Sequence, residues 1–262
     1  MSAIVLASSG QGFTSPGPSD FWQPLVGHGA FALTRPIVVM VLTTVALALV
    51  MVLGTRKLSI VPSKGQAALE SLYGLVRNGV ARDIIGRDTM RPYLPLLFGL
   101  FSVILVNNLL GVVPIIQYPT MARIGFPIAL TIFVYVAYLV VGFRHKGVGG
   151  YFKGLVPGGL PGWIVPVIFL LEFITAFITR PITLALRLFG NMFAGHILLL
   201  LFALGGEYMA IHGGIGLKVV SIPTFLLYFV LTVFELLIEF LQAYIFTLLA
   251  ATYIADSLST EH

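Results

Sequence analysis

Glu235, Glu239 and Gln242 stand four and seven residues apart in Val219 to Ala255, a stretch whose only charges are those two acids. At 3.6 residues per turn, that spacing sets all three on one helix face, with Phe246 next along it. Two carboxylates one turn apart in apolar surroundings repel, which favours a proton on one of them. A carboxyl that exchanges its proton can act as a relay. For Glu239, a packing or pairing role stands level with the relay role.

Arg187 lies in Leu184-Ala185-Leu186-Arg187-Leu188-Phe189-Gly190-Asn191, with apolar residues on both sides and no acid nearby in sequence. Its guanidinium keeps its proton in any ordinary environment, so it must face an acid, a polar cavity or water. Asn191 follows one turn later on the same face. Gly190, Ala194 and Gly195 are small enough to admit a close neighbouring helix. His196 lies nine residues past Arg187, on the opposite side of a regular helix, and is the expected partner of the acids.

Arg180 lies two turns before Arg187 and is expected to snorkel to the interface or meet lipid phosphate. Glu172, about fifteen residues before Arg187, either lines an exit path or pairs with Arg180. A mid-membrane charge costs at least about 2.5–3.5 kcal/mol. Mutual pairing that fixes helix packing is one reason to keep such charges; ion conduction is the commoner one.

The elements that carry these residues are apolar throughout. The chain has 262 residues, 58% hydrophobic and 10% charged, against about 25% charged in a soluble domain. The fold expected is an all-α polytopic membrane protein forming one membrane domain over 35–262. Spans are expected at about 37–53, 93–116, 127–143, 164–204 and 219–255. The last two would run about 50–60 Å as continuous helices, beyond a hydrocarbon core of about 30 Å. They must be long and tilted or kinked, or the first must break at Pro181. Leu69, Leu72, Tyr73, Val76 and Val80 share one face of an amphipathic helix over about 66–84. That helix would lie on the membrane interface or pack on another soluble subunit.

The net charge of +5 comes from basic residues beside the spans, which reads as topology and not nucleic-acid binding. Arg56, Lys57, Lys64, Arg77, Arg82, Arg87 and Arg91 fall between the first two spans, and Arg144, Lys146 and Lys153 follow the third. The positive-inside rule makes those segments cytoplasmic. It puts residues 1–34 outside as an N-terminal arm and the C-terminus inside. This holds if 164–204 crosses once. The first 34 residues hold no Lys or Arg, so no secretory or transit peptide is expected. With no cysteine, disulfides and thiolate metal sites are excluded. No phosphate-binding loop, metal-ligand cluster or nucleophile motif is visible. Gly147-Val148-Gly149-Gly150 reads as a turn. No cofactor is expected.

Leu186-Arg187-Leu188-Phe189-Gly190-Asn191-Met192-Phe193-Ala194-Gly195-His196 closely resembles a signature of subunit a of F-type ATP synthases. Leu241-Gln242-Ala243-Tyr244-Ile245-Phe246-Thr247-Leu248-Leu249 resembles the second signature. Asn107-Asn108-Leu109-Leu110-Gly111 with Pro114, and Lys146-Gly147-Val148-Gly149-Gly150-Tyr151, are also similar, and the likeness covers about residue 35 to the end. The resemblance implies a membrane stator, not catalytic alone, beside a rotating ring of c subunits. Protons enter one half-channel, ride the ring on a carboxyl, and leave by an offset half-channel. It implies that Arg187 is the arginine between the half-channels and that Asn191 and Gln242 are polar residues near it. It makes His196 and Glu235 the inlet pair, with residue types exchanged relative to many bacterial relatives. Glu172 stands about one position out of register with the outlet acid. Implied partners are the c-ring, the b-subunit stalk, other synthase subunits and the lipid bilayer, with no nucleic acid. The setting is a bacterial plasma membrane. A stand-alone transporter or channel would need its own complete pathway, and no internal repeat is visible. A purely structural anchor leaves the aligned Glu235, Glu239 and Gln242 unexplained.

Overall fold

The computed structural model describes residues 24–26, 33–56, 59–112, 120–156 and 161–259. Most of the expected N-terminal arm, and the end of the second expected span at 113–116, lie outside the described residues. Two short strands, β1 (Pro24–Val26) and β2 (Leu33–Thr34), pair antiparallel. They lead into α1 (Arg35–Gly54).

Five helices are long and apolar enough to cross a membrane. The first is α1, apolar on every side. From Ile37 onward none of its residues is buried in the molecule, and Val41, Leu42 and Leu49 are exposed. Only lipid suits such a surface. Thr44 Oγ1 is satisfied within the helix, donating to the Met40 carbonyl at 2.8 Å, as a bilayer demands.

The amphipathic helix is α2 (Lys64–Val76), capped by Ser63, whose Oγ accepts from the Gln66 N–H at 3.3 Å. A π-helical turn, Arg77–Arg82, continues it. Val76, Val80 and Ala81 are fully buried in the chain's own core, while Arg77, Asn78 and Arg82 face outward. Tyr73 meets Phe98 edge to face, and Tyr244 Oη donates to the Gly79 carbonyl at 3.2 Å. The apolar face of this element thus covers the membrane bundle of the same chain.

α3 (Leu94–Val112) and the second half of α7 (Ile215–Leu258) form the centre. Leu97, Phe101 and Ile104 meet Phe246, Ala250 and Ile254 in one buried cluster. Ala243, Ala250 and Ala251 keep that face of α7 small, which lets backbones approach where apolar surface alone gives no drive to associate. α4 (Gly125–Lys153) packs alongside. Its path bends at Gly147, the one described residue of that helix with positive φ, +71°. The expected turn over Gly147–Gly150 is thereby confined to Gly147, and helix resumes after it. Tyr151 folds back onto Gly142, where a Cβ would sit 2.6 Å from its ring.

The two longest spans are Val165–His212, 48 residues, and Ile215–Leu258, 44 residues. At about 1.5 Å per residue each exceeds 60 Å, so both must cross a bilayer steeply inclined. The first comprises α5 (Val165–Ile174), a π-helical turn (Thr175–Thr179) and α6 (Arg180–His212). Pro181 does not break it. A proline cannot donate to the carbonyl four residues earlier, and the wider turn just upstream absorbs the mismatch. Tyr138 Oη donates to the Ala176 carbonyl inside that turn at 2.8 Å.

Candidate functional site between the two long helices

α6 and α7 run together, and α3 closes the third side. One side-chain hydrogen bond ties the long helices at mid-length: Asn191 Nδ2 donates to Gln242 Oε1 at 2.8 Å. Glu235, Glu239 and Gln242 share one face of α7, as their spacing requires. They are 5%, 2% and 3% exposed. Opposite them on α6 is His196, also buried. Its Nδ1 lies 3.0 Å from the Met192 carbonyl and 3.8 Å from Glu235 Oε1. From α3, Asn108 Nδ2 donates to the Glu239 backbone carbonyl at 3.4 Å.

Several polar atoms along this seam have no hydrogen-bond partner. They are both Glu239 carboxylate oxygens, Glu235 Oε1, His196 Nε2, Gln242 Nε2 and Asn108 Oδ1. Buried polar groups are ordinarily satisfied. So many orphans in one place mark a seam built to hold water, protons or an ion.

Two cavities meet there. A small one, about 10 Å³, is lined by Asn108, Asn191, Glu235, Glu239 and Gln242 with apolar neighbours. That is room for about one water-sized probe. A more open cleft of about 240 Å³ lies beside Ala194, Gly195, Leu198, Leu231 and Phe234. Glu235, Asn191 and Ile238 line both. Gly195 lets the Glu235 carboxyl sit against α6, because a Cβ there would collide with it.

Arg187 lies outside this cluster. It is exposed on α6, one turn before Asn191, among exposed Ile182 and Leu186. Among the described residues no carboxylate lies within ion-pair distance of it. The outer face of α7 is also apolar and exposed, at Phe229, Val233 and Leu237.

Arg180 departs from expectation. Its Nη2 lies 3.0 Å from Asp256 Oδ2 in the last turns of α7, and its guanidinium sits 4.9 Å over the Tyr253 ring. It is tied to protein and not to Glu172, which stays half-buried on α5 apart from the seam. Lys146 Nζ donates to the Asp256 carbonyl at 3.2 Å, so α4 joins the same tie. Sequence reasoning gave no role to Asp256, and placed Asn108 only within a family-like motif, because their partners are far away along the chain. It did bring His196 together with Glu235 and Glu239, whose ligand atoms lie within 4.8 Å of one another. No metal-ligand cluster was visible in the sequence because the imidazole and the carboxylates sit on separate helices.

Five long apolar helices define a multi-pass membrane protein, and its polar seam lies inside the bundle. Residues 37–255 match the family described as ATP synthase A chain. The chain is 41% identical to "ATP synthase subunit a" of Nocardioides sp., over 99% of this chain and 98% of the relative. It is 38% identical to the protein of that name from Pseudarthrobacter chlorophenolicus, over 100% and 99%. It is 35% identical to that from Streptomyces lividans, over 97% and 90%. The chain belongs to the ATP synthase subunit a family. It is a non-catalytic membrane subunit, with a role in ATP synthesis and ion transport.

Proposed function

We propose that this chain is the proton-conducting stator of an F-type ATP synthase, forming two offset half-channels against a ring of c subunits. The observation that carries this reading is the buried seam of Glu235, His196, Glu239, Gln242 and Asn191, which ends one turn from Arg187 on an exposed apolar face.

A proton entering the open cleft meets Glu235 first, with His196 beside it. The small cavity then leads past Glu239 to the Asn191–Gln242 bond. A ring carboxyl must be neutral while it faces lipid, because an isolated charge there is prohibitive. Beside Arg187 it ionises. Two opposite charges about 4 Å apart gain on the order of 4 kcal/mol at an effective dielectric near 20. A potential of 100 mV supplies about 2.3 kcal/mol per proton. The two are of similar size, so the site can run in either direction. The same fixed charge repels a proton hopping straight between half-channels. Glu172, half-buried on α5, is assigned to the outlet side.

The exposed apolar faces of α6 and α7 are the ring-facing surface. The b-subunit stalk, other synthase subunits and lipid complete the surroundings, in a bacterial plasma membrane with the N-terminus outside and the C-terminus cytoplasmic. The test is ATP-driven acidification of vesicles at matched assembly. Arg187→Ala is expected to abolish coupled pumping; normal pumping by that variant contradicts the reading.

A further inference from the structure

We propose that Asp256 is a positioning residue for proton transfer at Arg187, acting through Arg180. It ties Arg180 to the end of α7 and cancels its charge, which leaves Arg187 as the uncompensated cation of α6.

Arg180 and Arg187 are the only lysines or arginines on α6. Seven residues apart, they stand on nearly the same face, about 10 Å from each other along the axis. Their surroundings differ. Arg187 has no carboxylate within ion-pair distance among the described residues. Arg180 Nη2 lies 3.0 Å from Asp256 Oδ2, and its guanidinium lies 4.9 Å over the Tyr253 ring. The Arg180 side chain is 26% exposed, so most of its field runs through protein, where salt screens little. Without Asp256, the face that carries Arg187 would hold a second bare cation.

The other ionisable groups around the pair come from α4. Lys146 Nζ donates to the Asp256 main-chain carbonyl at 3.2 Å, which leaves the Asp256 carboxylate to Arg180. Tyr138 Oη donates to the Ala176 carbonyl at 2.8 Å, in the wide turn that ends where Arg180 begins α6. Tyr151 lies against Gly142. These phenols, like Tyr253, are neutral near pH 7. Asp256 is therefore the charge that balances Arg180.

The consequence rests on the proton-path reading, with the end of α7 cytoplasmic. In ATP-driven pumping a ring carboxyl takes its proton from that side, past the end of α6 that carries Arg180. A bare Arg180 there would lower the pKa of the ring carboxyl and repel the incoming proton. Loading would then need more protons, so the pumping profile against cytoplasmic pH would move to acid.

The experiment uses the assembled complex in vesicles with the cytoplasmic face outward. Initial rates of ATP-driven pumping are measured from outer pH 6 to 9. Asp256→Asn is expected to move the alkaline limb to acid by about half a pH unit or more. On a limb of unit slope that is roughly a threefold loss of rate at pH 8. Adding Arg180→Gln to Asp256→Asn removes the bare cation and should return the limb to the parent's position. A contact that merely holds α6 against α7 is broken equally in the single and the double variant. A double variant as shifted or as slow as Asp256→Asn therefore overturns the proposal, as does an unshifted limb in Asp256→Asn. Where Asp256→Asn does not assemble, Arg180→Gln alone carries the test. It removes the pair without baring a cation, so its limb should stay with the parent's; a move to acid overturns the proposal. Arg187→Ala in the same vesicles separates the two readings. Normal pumping there overturns the proton path and this inference with it. Loss there beside an unshifted Asp256→Asn overturns this inference alone.

Discussion

Gly195 shows how one residue sets the chemistry of its neighbour. Its missing side chain is what lets the Glu235 carboxyl stand beside His196. Gly195→Ala leaves the helix intact, since alanine favours helix over glycine by about 1 kcal/mol. It must displace that flexible carboxyl. The account predicts a complex that assembles normally and pumps on the order of tenfold more slowly. Unchanged pumping would mean that the position of Glu235 is immaterial. Glu235→Gln removes the proton-carrying group without its volume, and positioned proton-transfer groups contribute roughly a hundredfold or more. ATP-driven pumping by Glu235→Gln should fall by at least about tenfold; identical rates from pH 6 to 9 count against a relay. The α7 face was legible because a four-and-seven spacing survives any helix packing. The orphaned oxygens of Glu239 and the Asn108 side chain over its backbone were not. They depend on where α3 lies, and nothing near Glu239 in sequence records that.

Among the elements, the long helices are held by small local devices. The wide turn at Thr175–Thr179 keeps α5 and α6 continuous past Pro181, and Tyr138 caps one of its carbonyls. Tyr138→Phe deletes that bond and should lower stability by about 1 kcal/mol, read as an earlier thermal dissociation of the subunit; no shift would make the contact incidental. Gly147, with φ of +71°, bends α4 so that Tyr151 can return onto Gly142. Gly147→Ala forces a side chain onto a backbone with φ of +71° and ψ of 164°, a region essentially reserved for glycine, at a cost of roughly 1–3 kcal/mol. The length of the last two helices was readable from hydropathy, because polar residues inside them are too sparse to end them. Continuity at Pro181 was not readable, since a proline in a membrane helix is compatible with either a break or a bend. Arg180 misled for a related reason. Its partner Asp256 lies in the last turns of another helix, and a local reading offered only lipid or Glu172.

The molecule as a whole presents two kinds of surface. α1 and the outer sides of α5 and α7 are apolar and exposed, and the polar seam is folded inward. The proposed orientation puts the end of α7 on the cytoplasmic side. With no native cysteine, Ser259→Cys gives a single thiol just past α7. A membrane-impermeant maleimide should label it from the cytoplasmic side only; labelling from outside reverses the proposed orientation. The central claim concerns Arg187, the fixed charge that emerges from this apolar face one turn from the seam. ATP-driven acidification of vesicles, comparing the parent with Arg187→Ala at equal subunit content, tests it most directly. The account predicts complete loss of pumping in the variant. Pumping at the parent's rate would contradict it and leave Arg187 a packing residue.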